Sequence, residues 1–251
     1  MAHIDAWLAA LERRHAAGLT SAELTRALQA LSSCYVERRS KLETGAALEG
    51  AGKRAAFALY YSPVHFLTIT EIIRAVGDCG RAPGSILDLG CGTGVGAAAW
   101  ALACDARSRI SGIDRNAWAV AEANWTYGEL GLPGRARTSD VASATLPKSS
   151  DSAILLAYAA NELTAGARST LLPKLVDAIR AGTRVLVVEA IALRDKPWWR
   201  EWRQTLEAEG AREQEWRFDA DIPARVRELG RRAGLTLMEL TARTISTQPR
   251  V

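Results

Sequence analysis

Residues 84–96 read Gly-Ser-Ile-Leu-Asp-Leu-Gly-Cys-Gly-Thr-Gly-Val-Gly. Ser85 to Leu89 is a short apolar run interrupted by one acid, Asp88, the pattern of a buried parallel strand. Gly90, Gly92 and Gly94 alternate after it, and Ala97 to Leu102 has the composition of a following helix. Strand, glycine turn and helix together make a site for a nucleotide-like ligand. The glycines let the backbone turn tightly and approach the ligand, and the helix start presents N–H groups that have no partner within the helix.

The dinucleotide fingerprint G-x-G-x-x-G needs a third glycine where this chain has Val95. A NAD- or FAD-binding domain is therefore the rival reading, and a glycine turn without a ligand is the plain one. The stretch from Asp88 to Gly94, D-x-G-x-G-x-G, resembles motif I of the class I S-adenosylmethionine (SAM) methyltransferases. That resemblance implies an α/β fold, with a Rossmann-like class I methyltransferase sheet and helices on both faces. It also implies SAM as cofactor, held around Asp88, Gly90, Cys91, Gly92 and Gly94, with the acid near the cofactor's charged amino-acid end.

Arg109 to Asp114 reads as a second strand ending in an acid. Asp114 lies twenty residues beyond Gly94, the distance at which an acid meets ribose hydroxyls in nucleotide-binding βαβ units. A carboxylate accepts two hydroxyl protons, as no neutral side chain does equally well. Arg115 and Asn116 lead into a helix from Ala117 to Leu130. A third strand covers Ala136 to Val141. There the resemblance implies that Asp140 accepts a hydrogen bond from the adenine amino group, with the backbone of Val141 close by. Ser152 to Ala159 is the fourth strand, followed by Asn161-Glu162-Leu163. Here the family presents its methyl acceptor, so Tyr158, Asn161 and Glu162 are the candidate catalytic residues. The Asn/Asp-Pro-Pro-Tyr of DNA and glutamine N-methyltransferases is not present. Glu162 either orients or deprotonates a nucleophile, or caps the next helix.

Upstream, Tyr61-Ser62-Pro63 precedes Asp88 by one helix, Phe66 to Val76, an order that resembles motif X of the amino-methyltransferases. The resemblance implies that Tyr61 and Ser62 close over the methionine end of SAM. The alternative is a helix start, with Pro63 in the first turn, where its missing N–H is not needed. Before it, Leu8, Leu11 and His15 share a helix face that ends at Gly18. Thr20-Ser21-Ala22-Glu23 has the spacing of a capping box, opening a helix with Leu24, Leu28, Leu31 and Tyr35 on one side. The charged stretch Glu37 to Lys41 continues that helix, and Gly45 to Gly52 reads as a linker. We expect an all-helical N-terminal extension over residues 1–62 and the SAM-binding domain over 63–251.

Arg168 to Arg180 is a helix, Thr183 to Ile191 an apolar central strand, and Asp195 to Gly210 a helix carrying Trp198, Trp199 and Trp202 among basic residues. Those tryptophans either stack bases or pack into the core. Glu213 to Phe218, Ile222 to Gly234 and Leu235 to Ile245 follow as strand, helix and strand. The apolar share of 48% and charged share of 24% suit a soluble globular protein, and no run is long enough to span a bilayer. The start, Met-Ala-His-Ile-Asp-Ala-Trp, has no signal-peptide pattern. Cys34, Cys79, Cys91 and Cys104 form no C-x-x-C pair, which argues for a reducing cytoplasm and against a zinc or iron–sulfur site. The net charge of +4 is spread along the chain, so RNA binding is permitted without being required.

A narrower similarity rests on the helical N-terminus, Asn161-Glu162-Leu163, Val187-Val188-Glu189 and Trp199-Arg200…Leu206…Gly210-Ala211. It is to the small-ribosomal-subunit-associated methyltransferase-like family, whose metal-binding cysteines this chain lacks. Three functions are compatible with the sequence: a methyltransferase acting on RNA or a ribosomal component, a small-molecule methyltransferase, and a non-catalytic SAM-binding ribosome-assembly factor.

Overall fold

In the computed structural model of the chain the described residues are 2–37, 48–193, 196–219 and 221–247. They form two compact units, residues 1–67 with 219–240, and residues 68–218 with 241–251.

The larger unit is built on a sheet. Its strands are β1 (Ser85–Leu89), β2 (Arg109–Asp114), β3 (Gly134–Thr138), β4 (Ser152–Ala157), β5 (Arg184–Glu189), β6 (Arg212–Phe218) and β7 (Leu240–Ser246). They lie in the order β3-β2-β1-β4-β5-β7-β6. The first five are parallel, with Leu87 opposite Ser111 and Ile154, and β7 runs antiparallel to β5. β4 and β5 are buried almost throughout, as central strands covered on both faces must be. The expected terminal pair of strands is present, with 212–218 at the sheet edge.

Helices Val95–Ala103, Ala117–Glu129, Ala165–Arg180 and Pro197–Glu207 connect these strands. One core cluster runs from Leu89, Ile154 and Val187 in the sheet to Leu171 and Leu175, and on to Trp199, Trp202 and Leu206. Trp199 and Trp202 are each 1% exposed, which answers for them the question the sequence left open. The Trp199 indole donates to Glu213 Oε1 at 2.6 Å, Glu213 pairs with Arg243, and the Arg243 guanidinium lies 4.8 Å over the Trp199 ring. Their chemistry is spent on joining this helix to β6 and β7.

The smaller unit is helical. It contains α1 (Ala2–His15), α2 (Ser21–Glu37), α3 (Ala51–Ala56), a π-turn (Phe57–Tyr61), the start of α4 (Ser62–Val76) and the late helix Ala224–Arg232. The capping box forms as read: Glu23 Oε2 accepts the Thr20 N–H at 2.8 Å, and Thr20 Oγ1 accepts the Glu23 N–H at 3.2 Å. Leu28 and Leu31 are fully buried. The side chain of Tyr35 and residues 38–47 lie outside the described residues, so the expected continuation through Lys41 is not visible. The expected linker up to Gly52 is already helical from Ala51.

Pro63 does not begin a helix. The chain is helical without interruption from Ala51 through Val76, and Pro63 lies inside that run. Proline has no N–H, and its ring strikes the carbonyl four residues earlier. Here the helix widens into the π-turn just before it, and Ser62 N–H and Oγ both turn to Phe57 O. The cysteines depart from expectation too. Cys79 and Cys104 are joined in a disulfide, while Cys34 and Cys91 are free and buried. Among the described residues no helix is long and apolar enough to cross a membrane.

Candidate cofactor site

The sheet order reverses between β1 and β4, so their carboxyl ends open a crevice of the kind in which α/β sheets hold ligands. The glycine turn fills one side of it. Gly90, Gly92 and Gly94 have φ of 70°, 51° and 79°, a region that side chains with a Cβ rarely adopt. The alternation of glycines is thus the backbone requirement of this one bend. The N–H groups of Gly90 and Cys91 both donate to Ile113 O, at 2.8 and 2.9 Å, and tie the turn to β2. A Cβ on Gly92 would meet nothing within 4 Å, so the outer face of the turn is open to a ligand.

Two acids fix this turn. Asp88 is 1% exposed, and its Oδ2 accepts the Ala97 N–H at 3.2 Å, at the start of the following helix. Burial pushes its carboxyl up to about 7; the Ala97 N–H works against that shift, and the charge of Asp114 adds to it. Asp114 receives the Gly92 N–H on Oδ2 at 2.9 Å and the Asn116 N–H on Oδ1 at 2.8 Å. Each oxygen keeps a lone pair for another donor, which suits a ribose diol. Asn116, which leads into the next helix as expected, caps it by accepting from Trp118 and Ala119 N–H. Cys91 lies buried in the turn, where burial pushes its thiol up.

The other wall follows β4. Tyr158 has φ 56°, unusual for a bulky residue, and its N–H donates to Val188 O at 2.8 Å. This left-handed residue swings the chain toward the glycine turn, where a Cβ on Gly90 would lie 2.6 Å from the Ala159 Cβ. Asn161 and Glu162 follow in a single helical turn, with the Asn161 N–H donating to Glu189 Oε1 at 3.0 Å. Burial raises Glu162 to about 7; the Asp114 charge adds to this and Arg115 opposes it. Glu162 does not cap the next helix, since that position is taken by Thr164, whose Oγ1 accepts the Ala167 N–H.

Asp140 stands exposed at the end of β3 and caps the turn Val141–Ser143 through the Ala142 N–H at 2.8 Å. The Val141 side chain is in the core, which leaves its backbone for a ligand. Arg115 is exposed after β2. Asp88, the turn glycines, Cys91, Asp114, Arg115, Asp140, Val141, Tyr158, Asn161 and Glu162 thus lie at the carboxyl end of one sheet. Tyr61 and Ser62 belong to the helical unit, in an aromatic group with Phe57 and His65. Two residues of the site were given no site role in the sequence: Glu189, named there only within Val187-Val188-Glu189, and Tyr127, whose ring lies under Gly94. Among the described residues no group of His, Cys, Asp or Glu is arranged to hold a metal ion.

Residues 86–182 match the model of a methyltransferase domain. A search of curated proteins finds no match. Among solved structures, the pyocyanin biosynthetic protein PhzM is 19% identical over 84% of this chain and 61% of its own, with a TM-score of 0.50. Magnesium protoporphyrin IX methyltransferase from Synechocystis, solved with bound SAM, is 16% identical over 74% of this chain and 80% of its own, with a TM-score of 0.47. The YcgJ protein of Bacillus subtilis is 17% identical over 74% and 99%, at 0.45. The match over residues 86–182 and the sheet order with its reversed seventh strand give this unit the fold of a methyltransferase domain. SAM, the cofactor that the resemblance of Asp88 to Gly94 implies, carries an electrophilic methyl group on a positively charged sulfur. The open turn and the unfilled lone pairs of Asp114 fit that cofactor.

Proposed function

We propose that the chain methylates RNA or a ribosomal component in the cytoplasm. In this reading SAM is held by Asp88, Gly90, Cys91, Gly92, Gly94, Asp114, Arg115, Asp140 and the Val141 backbone. Tyr158, Asn161 and Glu162 face the methyl acceptor. Residues 1–62 are the extension that meets the substrate, with Tyr61 and Ser62 closing on the cofactor, and 63–251 are the catalytic domain. Methyl transfer in line needs alignment and a dry site more than acid–base groups. The observation that supports the acceptor class is the Asn161–Glu189 hydrogen bond. It joins two of the stretches, Asn161-Glu162-Leu163 and Val187-Val188-Glu189, that carry the similarity to the ribosome-associated family.

A second reading, a small-molecule acceptor, is favoured by the burial of Trp199 and Trp202. It leaves the helix Pro197–Glu207 without the stack of exposed aromatic rings that single-stranded bases use. Incubation with methyl-labelled SAM and separated RNA, ribosomal-protein and small-molecule fractions of the source cell tests both. Label in RNA or ribosomal protein is the expected result. Label in the small-molecule fraction supports the second reading and sinks the first, and tight SAM binding with no labelled product makes the chain a non-catalytic assembly factor.

A further inference from the structure

The late helix Ala224–Arg232 is fastened to the rest of the helical unit at three places. Arg225 pairs with Glu12 of α1, and Arg232 donates to Ser21 Oγ of α2. Gly230 lies so close to the π-turn that a Cβ there would meet Tyr60 Cε2 at 2.7 Å. Between these fastenings a cavity of about 700 Å³ is left within the unit. Leu11, Leu59, Pro63 and Val226 line it as buried side chains, and Leu8, Leu24 and Leu229 stand half-buried around them. Leu59 belongs to the π-turn and Pro63 to the helix after it, so the widening of that helix shapes one wall. Such turns recur at functional sites. Close-packed interiors leave few voids larger than a water, whereas a space of this size, lined by leucines, has the dimensions of a small-ligand site.

The charged residues of the lining leave one sign unanswered. Arg225 is met by Glu12, and Arg232 by Glu228, whose Oε1 accepts its Nε–H at 2.6 Å. Ser21 Oγ is taken by Arg232. Asp5, exposed on α1, is left over: among the described residues no ion pair or hydrogen bond engages its carboxylate. We propose that this cavity binds a small amphipathic amine, with its apolar body against Leu8, Leu24, Leu59 and Leu229 and its ammonium at Asp5. Apolar surface removed from water supplies most of the affinity, and the exposed ion pair adds selectivity by charge. An anion would meet Asp5 with both guanidiniums already paired. A ligand rich in hydroxyls or amides would leave them unpaired against leucine, at a cost in affinity. The cavity takes no residue from the glycine turn, so it stands or falls independently of where SAM lies.

Fluorescence titration of the full chain with three probes reads the preference: dansylcadaverine, a cationic amine, neutral dansylamide, and anionic anilinonaphthalene sulfonate. At low salt dansylcadaverine is expected to saturate a single site about threefold to fivefold more tightly than dansylamide, with the sulfonate weakest. Asp5→Asn alters an exposed side chain and is expected to bring dansylcadaverine to the dansylamide level while leaving dansylamide unchanged. Leu229→Trp fills the cavity and is expected to weaken dansylcadaverine and dansylamide roughly tenfold or more, in protein whose cooperative melt shows it folded. Where that variant does not fold, Asp5→Asn decides alone. No saturable binding, tightest binding of the sulfonate, a cation preference that survives Asp5→Asn, or undiminished binding by folded Leu229→Trp overturns the proposal. A concentration-dependent dimer that dansylcadaverine does not dissociate gives the cavity to a second copy of the chain and overturns it too.

Discussion

The Tyr127 ring occupies the space that Cβ atoms on Gly94 and Gly134 would need, with approaches of 2.8 and 2.5 Å, and its hydroxyl lies 3.0 Å from where a Cβ on Gly112 would be. Its hydroxyl is buried and has no hydrogen-bond partner among the described residues. Tyr127→Phe keeps the ring and removes a desolvated polar group, so it is expected to hold or raise stability by up to about 1 kcal/mol in a urea titration. Tyr127→Ala is expected to lose about 3 kcal/mol or more through the cavity it leaves. A Phe variant as weak as the Ala variant would show that the hydroxyl carries a bond. This residue was not legible in the sequence, because the link from one aromatic side chain to three glycines on separate strands and turns exists only after folding. Asp114 was legible, since its distance from the glycine turn is fixed by one helix and one strand. Glu189 was hidden at the end of an apolar strand, where an acid has no local signature until a backbone N–H meets it.

At the scale of elements, the disulfide between Cys79 and Cys104 closes a loop of sequence separation 25 that holds β1, the glycine turn and the helix Val95–Ala103. Loop-closure entropy gives a cross-link of that span about 3 kcal/mol of stability. Cys79→Ser is expected to lower the denaturation midpoint accordingly under non-reducing conditions and to match the wild type once both are reduced. Equal midpoints without reductant would show that the thiols are not joined. Cysteine spacing could not reveal this pair, since neither partner belongs to a short motif and the strand and helix between them bring them together. The parallel strands and their helices were legible from apolar runs and glycine breaks. The π-turn was not, because the bare pattern Tyr-Ser-Pro fits both a helix start and a helix that opens to accommodate its proline.

The whole molecule joins a helical unit to a sheet unit, and the late helix Ala224–Arg232 returns to the N-terminal helices, a partnership over a separation no periodicity reveals. Burial acts on titrating groups in both units. Asp88, Glu162 and Glu189 are raised to about 7, 7 and 8, while His65 is lowered to about 3. The raised carboxylates bind more protons folded than unfolded, so their contribution to stability falls as pH climbs towards 8. His65 acts in the opposite sense, binding a proton more readily unfolded, so its contribution falls as pH drops below 6.5. Between pH 6.5 and 8 the carboxylates act without that opposition, and the melting temperature of the free protein is expected to decline across this window. A flat profile would mean that these acids are solvated. Charge, cofactor and fold meet at Asp114, and calorimetric titration of SAM into the wild type and a folded Asp114→Ala variant tests the site most directly. Loss of more than tenfold in affinity, about 1.4 kcal/mol, is predicted; unchanged affinity would contradict the placing of SAM at the glycine turn.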